Sequence, residues 1–134
     1  MVEKDRFFNQ DPAFGVRKLV DIAERALSPG INDPTTAVQV LDELHRILRL
    51  TVTRAELPAL VTSDGDVRLV HLPQRVDQLV DLALAEPLHY GKDSLQVPRR
   101  VVAMVEDLVT VALPEHRPRL EHWLQEARGL VPDY

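Results

Sequence analysis

SPGINDPTTA, residues 28–37, decides how this chain is read, because it sets the signals that end one helix beside those that start the next. Pro29 and Gly30 stop a helix, while Asn32 and Asp33 carry side-chain oxygens suited to the free amides of a new one. Pro34 then falls at the first helical position, where its fixed φ is already helical and its missing N–H costs little. Upstream, a helix is expected from an Asp11 cap and Pro12, with Phe14, Leu19, Ile22, Ala23, Ala26 and Leu27 on one stripe. Its other face carries Arg17, Asp21, Glu24 and Arg25. Downstream, Ala37, Val40, Leu41, Leu44, Ile47 and Leu48 line one side of a second helix, and Val38 and Leu50 widen the stripe enough to predict a central position.

The starts of these helices resemble each other: QDPAFGV at 10–16 and NDPTTAV at 32–38. Either the segment is a faint duplication or the same capping chemistry is used twice, and the second needs fewer assumptions. Gly15 costs about 1 kcal/mol relative to Ala inside a helix, which predicts a close helix contact there.

Farther along, ALVTSDGDVRLVHLP (59–73) flanks Asp64-Gly65 with short apolar runs, the pattern of a two-residue hairpin turn. Thr62 should then oppose Val67, and Leu60 should oppose Leu69. A lone two-stranded ribbon is marginal in water, so it either lies on its own helices or pairs with another chain. Leu60, Val67 and Leu69 are therefore candidate self-association residues. A third helix follows Pro73 through Val76, Leu79, Val80 and Ala83 and should kink or end near Pro87. HYGKDS (89–94) is a polar link with Gly91 as a stop and Asp93 or Ser94 as a cap. The fourth helix repeats Val97, Val101, Met104, Val105, Leu108 and Ala112 and should reach Leu113 before Pro114. The last carries Leu120, Trp123, Leu124 and Ala127 and should close at Gly129. The expectation is a mainly α fold over 1–134: a single bundle of about five helices with one small β-hairpin and no parallel sheet.

Composition narrows the function. A chain of 134 residues with 45% hydrophobic and 28% charged residues is long enough for one core. It has no cysteine, which excludes disulfides, thiolate metal sites and a thiol nucleophile. No uninterrupted apolar span of about 18 residues occurs, and the start has no apolar signal core, so a cytoplasmic location is the default. A net charge of −5 with scattered cations argues against a nucleic-acid partner.

Chemistry is sparse. Neither G-x-S-x-G nor S-x-x-K surrounds Ser28, Ser63 or Ser94. The five histidines, His45, His71, His89, His116 and His122, include no pair three or four apart, and no glycine-rich nucleotide loop is present. No catalytic residue, metal or cofactor is expected. His45, at the edge of the second helix's stripe, should be partly buried and hydrogen-bonded. His89 with Tyr90 in the link, and Arg99 with Arg100 in VPRRV, are better placed for a ligand, the arginines for a phosphate or carboxylate. Paired arginines on a solvated helix face are the commoner arrangement.

The segment QDPAFGVRKLVDIAERALSPGINDPTTAVQVLDELHRIL, continuing through DGDVRLVHL and HYGKDSLQVPRRV, resembles the soluble C-terminal region of a bacterial family of predicted membrane proteins, domain of unknown function 2254. The matching positions are Gln10, Asp11, Pro12, Phe14 and Gly15, then Ser28, Pro29, Gly30, Asn32, Asp33, Pro34, Thr36 and Ala37. Pro87 departs from the family's pattern and puts a straight third helix in doubt. The resemblance implies transmembrane helices before this region that this chain lacks, as in an excised C-terminal domain or a short relative, on the cytoplasmic side of the membrane. It implies no reaction. Two expectations follow. In the first, the chain is an interaction or regulatory module that forms a homodimer through a helix face or the hairpin. In the second, Ser28, Asn32, Asp33, Thr36, His89, Tyr90, Arg99 and Arg100 converge on one concavity for a small molecule or anion.

Overall fold

A computed structural model describes residues 12–133 apart from positions 56, 64, 73 and 74, and describes 57–63 and 68–72 in their backbone. Among the described residues, five α-helices and one hairpin follow in order: α1 (Pro12–Ala26), α2 (Pro34–Thr51), β1 (Leu57–Ser63), β2 (Asp66–Leu72), α3 (Arg75–Tyr90), α4 (Gln96–Val111) and α5 (Arg117–Leu130). A 3-10 turn at Pro114–His116 leads into α5. The fold is mainly α, and the predicted Asp11 cap lies outside the described residues.

Short connections reverse the chain between α1 and α2 and between α3 and α4, and ion pairs fix how the two hairpins of helices sit together. Arg100 of α4 bonds Asp42 of α2 at 2.7 Å, and seven residues on in both helices Arg49 bonds Asp107 at 3.0 Å. Partners that advance together mean α2 and α4 are parallel. On α1 and α3 the same sense follows from Pro12 and Ala13 lying beside Arg75 and Gln78 at one end and Arg17 bonding Glu86 farther along. The helix α5 packs chiefly on α4, with α3 as a second neighbour.

Between them lies one continuous core, built from Val16 and Val20 of α1, Leu41, Leu44 and Leu48 of α2, Leu84 of α3, Met104 and Leu108 of α4, and Leu120 of α5. Burial of each large side chain stabilises the fold by about 1.5–3 kcal/mol relative to exposure. Ala37, Val40, Leu41, Leu44 and Leu48 are buried, as the central stripe requires, with Ile47 packed at its margin.

Four expectations change. Ile22, placed on the α1 stripe, is 48% exposed, because α1 presents Val16, Val20 and Ala23 to the core and its flank stays in solvent. Among the described residues a Cβ on Gly15 would meet nothing within 4 Å and no helix approaches it closely; the close approach is at Gly91, where a Cβ would lie 2.5 Å from Val97 Cγ1. Pro87 does not end α3, which runs on to Tyr90 with Pro87 and Leu88 buried. The bond from the Gly91 amide to the Pro87 carbonyl, 2.9 Å, closes that last turn. The terminal bounds shift slightly: α4 stops at Val111, and α5 includes Gly129 and ends at Leu130.

The strands pair antiparallel in the expected register, Leu60↔Leu69 and Thr62↔Val67, around Asp64-Gly65, with Gly65 at φ 83°. Among the described residues the two strands pair only with each other. The ribbon is fixed at its root. The Leu113 amide donates to the Val52 carbonyl at 3.0 Å, and His116, 2% exposed, bonds the Arg54 carbonyl through Nε2 at 2.6 Å.

Candidate functional site

Both helix reversals, at residues 27–33 and 91–95, fall at one end of the bundle, and the hairpin root and the 3-10 turn fall at the other. The sequence-predicted residues are best described end by end.

In the first reversal the polar groups bond to one another. The Asp33 amide donates to the Ala26 carbonyl at 2.7 Å, tying the cap of α2 to the last residue of α1. Asp33 Oδ1 accepts from the Thr36 amide at 3.1 Å and Oδ2 from the Thr36 hydroxyl at 2.5 Å. Those bonds, the hydroxyl first, hold the Asp33 carboxyl below the usual carboxylate range. Ser28 Oγ donates to the Arg25 carbonyl at 2.8 Å. Asn32 takes the left-handed conformation at φ 47°, which asparagine tolerates better than most residues. The ten residues thus form a fixed angle between two helices.

Tyr90 and His89 close α3 with their rings edge to face at 5.0 Å. Tyr90 meets Glu24 of α1, whose charge and hydrogen bond raise the phenol above its ordinary value. This places Tyr90 beside an acidic group that the sequence had not singled out. Asp21, Glu24 and Glu86 bring carboxylate oxygens within 4.8 Å of one another, a spacing that would suit a cation. The Arg17 guanidinium already lies among them, 2.6 Å from Asp21, 3.8 Å from Glu24 and 2.5 Å from Glu86. Glu86 is held below the usual carboxylate range, chiefly by Arg17, while Glu24 is raised by its hydrogen bond to Glu86.

Arg100 is directed along the bundle. Its Nε bonds Asp42 and its NH2 donates to His45 Nδ1 at 2.8 Å, while His45 Nε2 donates to Asp107 at 2.6 Å. Asp107 is held below its ordinary range by His45 first and Arg49 next. His45 is half-buried and hydrogen-bonded as expected, and with both ring nitrogens engaged it offers no lone pair as a general base. Arg99 precedes this network on α4 and is exposed. Ser28, Asp33 and Thr36 therefore belong to one local cluster, Tyr90 to the Arg17 cluster and Arg100 to the α2–α4 network. A groove of about 320 Å³ lined by Pro12, Ala13, Arg75, Gln78, Leu79 and Leu82 lies at the opposite end of the bundle from the turn residues.

At that opposite end stands the hairpin. Val67 is 67% exposed, and so is Leu50 in the last turn before the ribbon. The register pairs Leu57 with Leu72, Ala59 with Val70, Leu60 with Leu69 and Val61 with Arg68. The two strand sequences, LPALVTS and DVRLVHL, are mostly apolar, interrupted by Thr62, Ser63, Asp66, Arg68 and His71.

No helix among the described residues is long and apolar enough to cross a membrane. The architecture is that of a helical domain with an outlying strand pair. Comparison places it further: the chain belongs to the family described as "Predicted membrane protein (DUF2254)", which matches residues 1–107. Uncharacterized proteins of Mycobacterium tuberculosis and Mycobacterium bovis are 49% identical to it over 51 residues, covering 38% of this chain and 10% of theirs. The chain thus matches about a tenth of the length of these curated relatives. No solved structure matches it.

Proposed function

We propose that the chain is a self-associating assembly module of a membrane-protein family, working on the cytoplasmic side and joining copies through the hairpin. The observation that carries this reading is an antiparallel ribbon of two strands, Leu57–Ser63 and Asp66–Leu72, that pairs with no third strand among the described residues and is bonded at its root to Leu113 and His116. Two strands alone bury too little to be stable in water, so a second surface must complete them. Exposed Val67 and Leu50 extend that need to the residues around the root. Neither the His45 network nor the Arg17 cluster presents a free nucleophile or base, which leaves an interaction role as the simplest one. Sedimentation velocity of the purified chain over a wide concentration range tests the reading. A monomer–dimer equilibrium is expected, and a single monomeric species at the highest concentration would overturn it.

A second reading is supported by the two reversals sharing one end of the bundle. There the turn at 28–37, His89, Tyr90 and the α4 start with Arg99 and Arg100 would take an anion. Calorimetric titration with inorganic phosphate tests it: binding lost in Asn32→Ala with helicity intact supports this reading, and no heat in the wild type removes it for phosphate.

A further inference from the structure

We propose that the partner of the hairpin is the β2 edge of a second copy, paired antiparallel about a two-fold axis at Leu69, giving a four-stranded sheet in the order β1-β2-β2-β1. This rests on the self-association reading above and specifies its geometry.

The two edges of the ribbon are unequal. In a hairpin closed by a two-residue turn, the pair next to the turn, Ser63↔Asp66, exchanges both backbone bonds, and the pairs then alternate. Thr62↔Val67, Leu60↔Leu69 and Pro58↔His71 are therefore the pairs whose amides and carbonyls face outward. On β1 this outward row contains Pro58, which has no N–H to give. On β2 the row is Val67, Leu69 and His71, and every member has a donor and an acceptor. A strand seeking a partner thus finds an unbroken comb only along β2, and among the described residues no other strand occupies it.

The register follows from the same residues. The midpoint of Asp66–Leu72 is Leu69, so a two-fold axis there pairs the strand over its whole length. Leu69 opposes Leu69 of the partner subunit, and Val67 opposes His71 of the partner subunit. All outward donors are used, because all three residues fall at hydrogen-bonded positions of the new pairing. Moving the axis one residue towards the turn sets Arg68 against its own symmetry mate, placing like charges opposite each other. Moving it one residue the other way carries the pairing past Leu72, the last residue of the strand, and leaves Val67 without a partner in it.

The chain has no cysteine, so a single introduced thiol reports one contact cleanly. Opposed hydrogen-bonded residues in an antiparallel pair lie about 5.5 Å apart at Cα, within the span of a disulfide. Leu69→Cys is expected to form a covalent dimer on mild oxidation, while Leu60→Cys, the midpoint of the other edge, is not. Circular dichroism confirms that each variant retains its helices, and sedimentation of the wild type is run beside them. Cross-linking of Leu60→Cys with none at Leu69→Cys would overturn the β2 pairing, as would a wild-type dimer in which folded Leu69→Cys stays uncoupled. A monomeric wild type would instead remove the self-association reading itself.

Discussion

Glycine does two opposite jobs here. At Gly91 the missing side chain makes room, since a Cβ would press on the buried Val97 from 2.5–2.8 Å. Val97 is branched and fully buried, so it has no easy way to yield, and Gly91→Ala is expected to destabilise by about 1–3 kcal/mol in urea unfolding. At Gly15 nothing would meet the new methyl, and Gly15→Ala should stabilise by up to about 1 kcal/mol in the same assay. Sequence reading singled out Gly15 because a glycine inside a helix has a visible local cost. It took Gly91 only for a stop, because the Val97 contact depends on how α3 meets α4. Asp33 gives a pH signature. Its folded carboxyl is depressed by Thr36, so its contribution is complete above the ordinary carboxylate range and fades as pH falls through the lowered folded value. The melting temperature of Asp33→Ala should therefore lie below wild type at neutral pH and converge with it in strong acid.

Helices were legible because a 3.6-residue period and its caps are local properties, and α2 shows this best. Its Asp33 cap, Pro34 start and buried stripe from Ala37 to Leu48 are as the sequence predicts, whereas Leu50, expected to widen that stripe, lies off the buried face and is 67% exposed. Pro87 is carried inside the last turn of α3, which ends at Tyr90, because packing outweighs one lost hydrogen bond: Leu84, Pro87 and Leu88 are all buried. Ion pairs between helices were not legible at all. Nothing local links Arg17 to Glu86 or His45 to Asp107, since the partners belong to helices that meet only in the folded bundle. Such pairs give testable couplings. Arg17→Met should lower the melting temperature by leaving three carboxylates crowded, and adding Glu86→Gln should restore part of the loss. His116→Ala should cost about 2 kcal/mol or more, because it opens a buried space and strips the Arg54 carbonyl of its donor. The same change should increase hydrogen exchange in the hairpin more than in α1, which has no bond to that root.

For the whole molecule, charge and association oppose each other. Each copy carries −5, so two copies repel at long range, while the proposed contact is made by uncharged backbone bonds and sets no like charges directly opposite each other. Added sodium chloride should tighten the dimer modestly, as measured by sedimentation equilibrium, whereas a contact built on ion pairs would loosen. The parallel pair α2 and α4 carries a mechanical consequence. Asp42–Arg100 and Arg49–Asp107 are spaced alike along both helices, with His45 bridging Arg100 to Asp107, so the two helices are cross-braced like the rails of a ladder. Sliding one helix past the other by a turn would break every rung at once. A piston shift of one helix along the other therefore gives up all of these bonds together, whereas a small tilt of the braced pair keeps them.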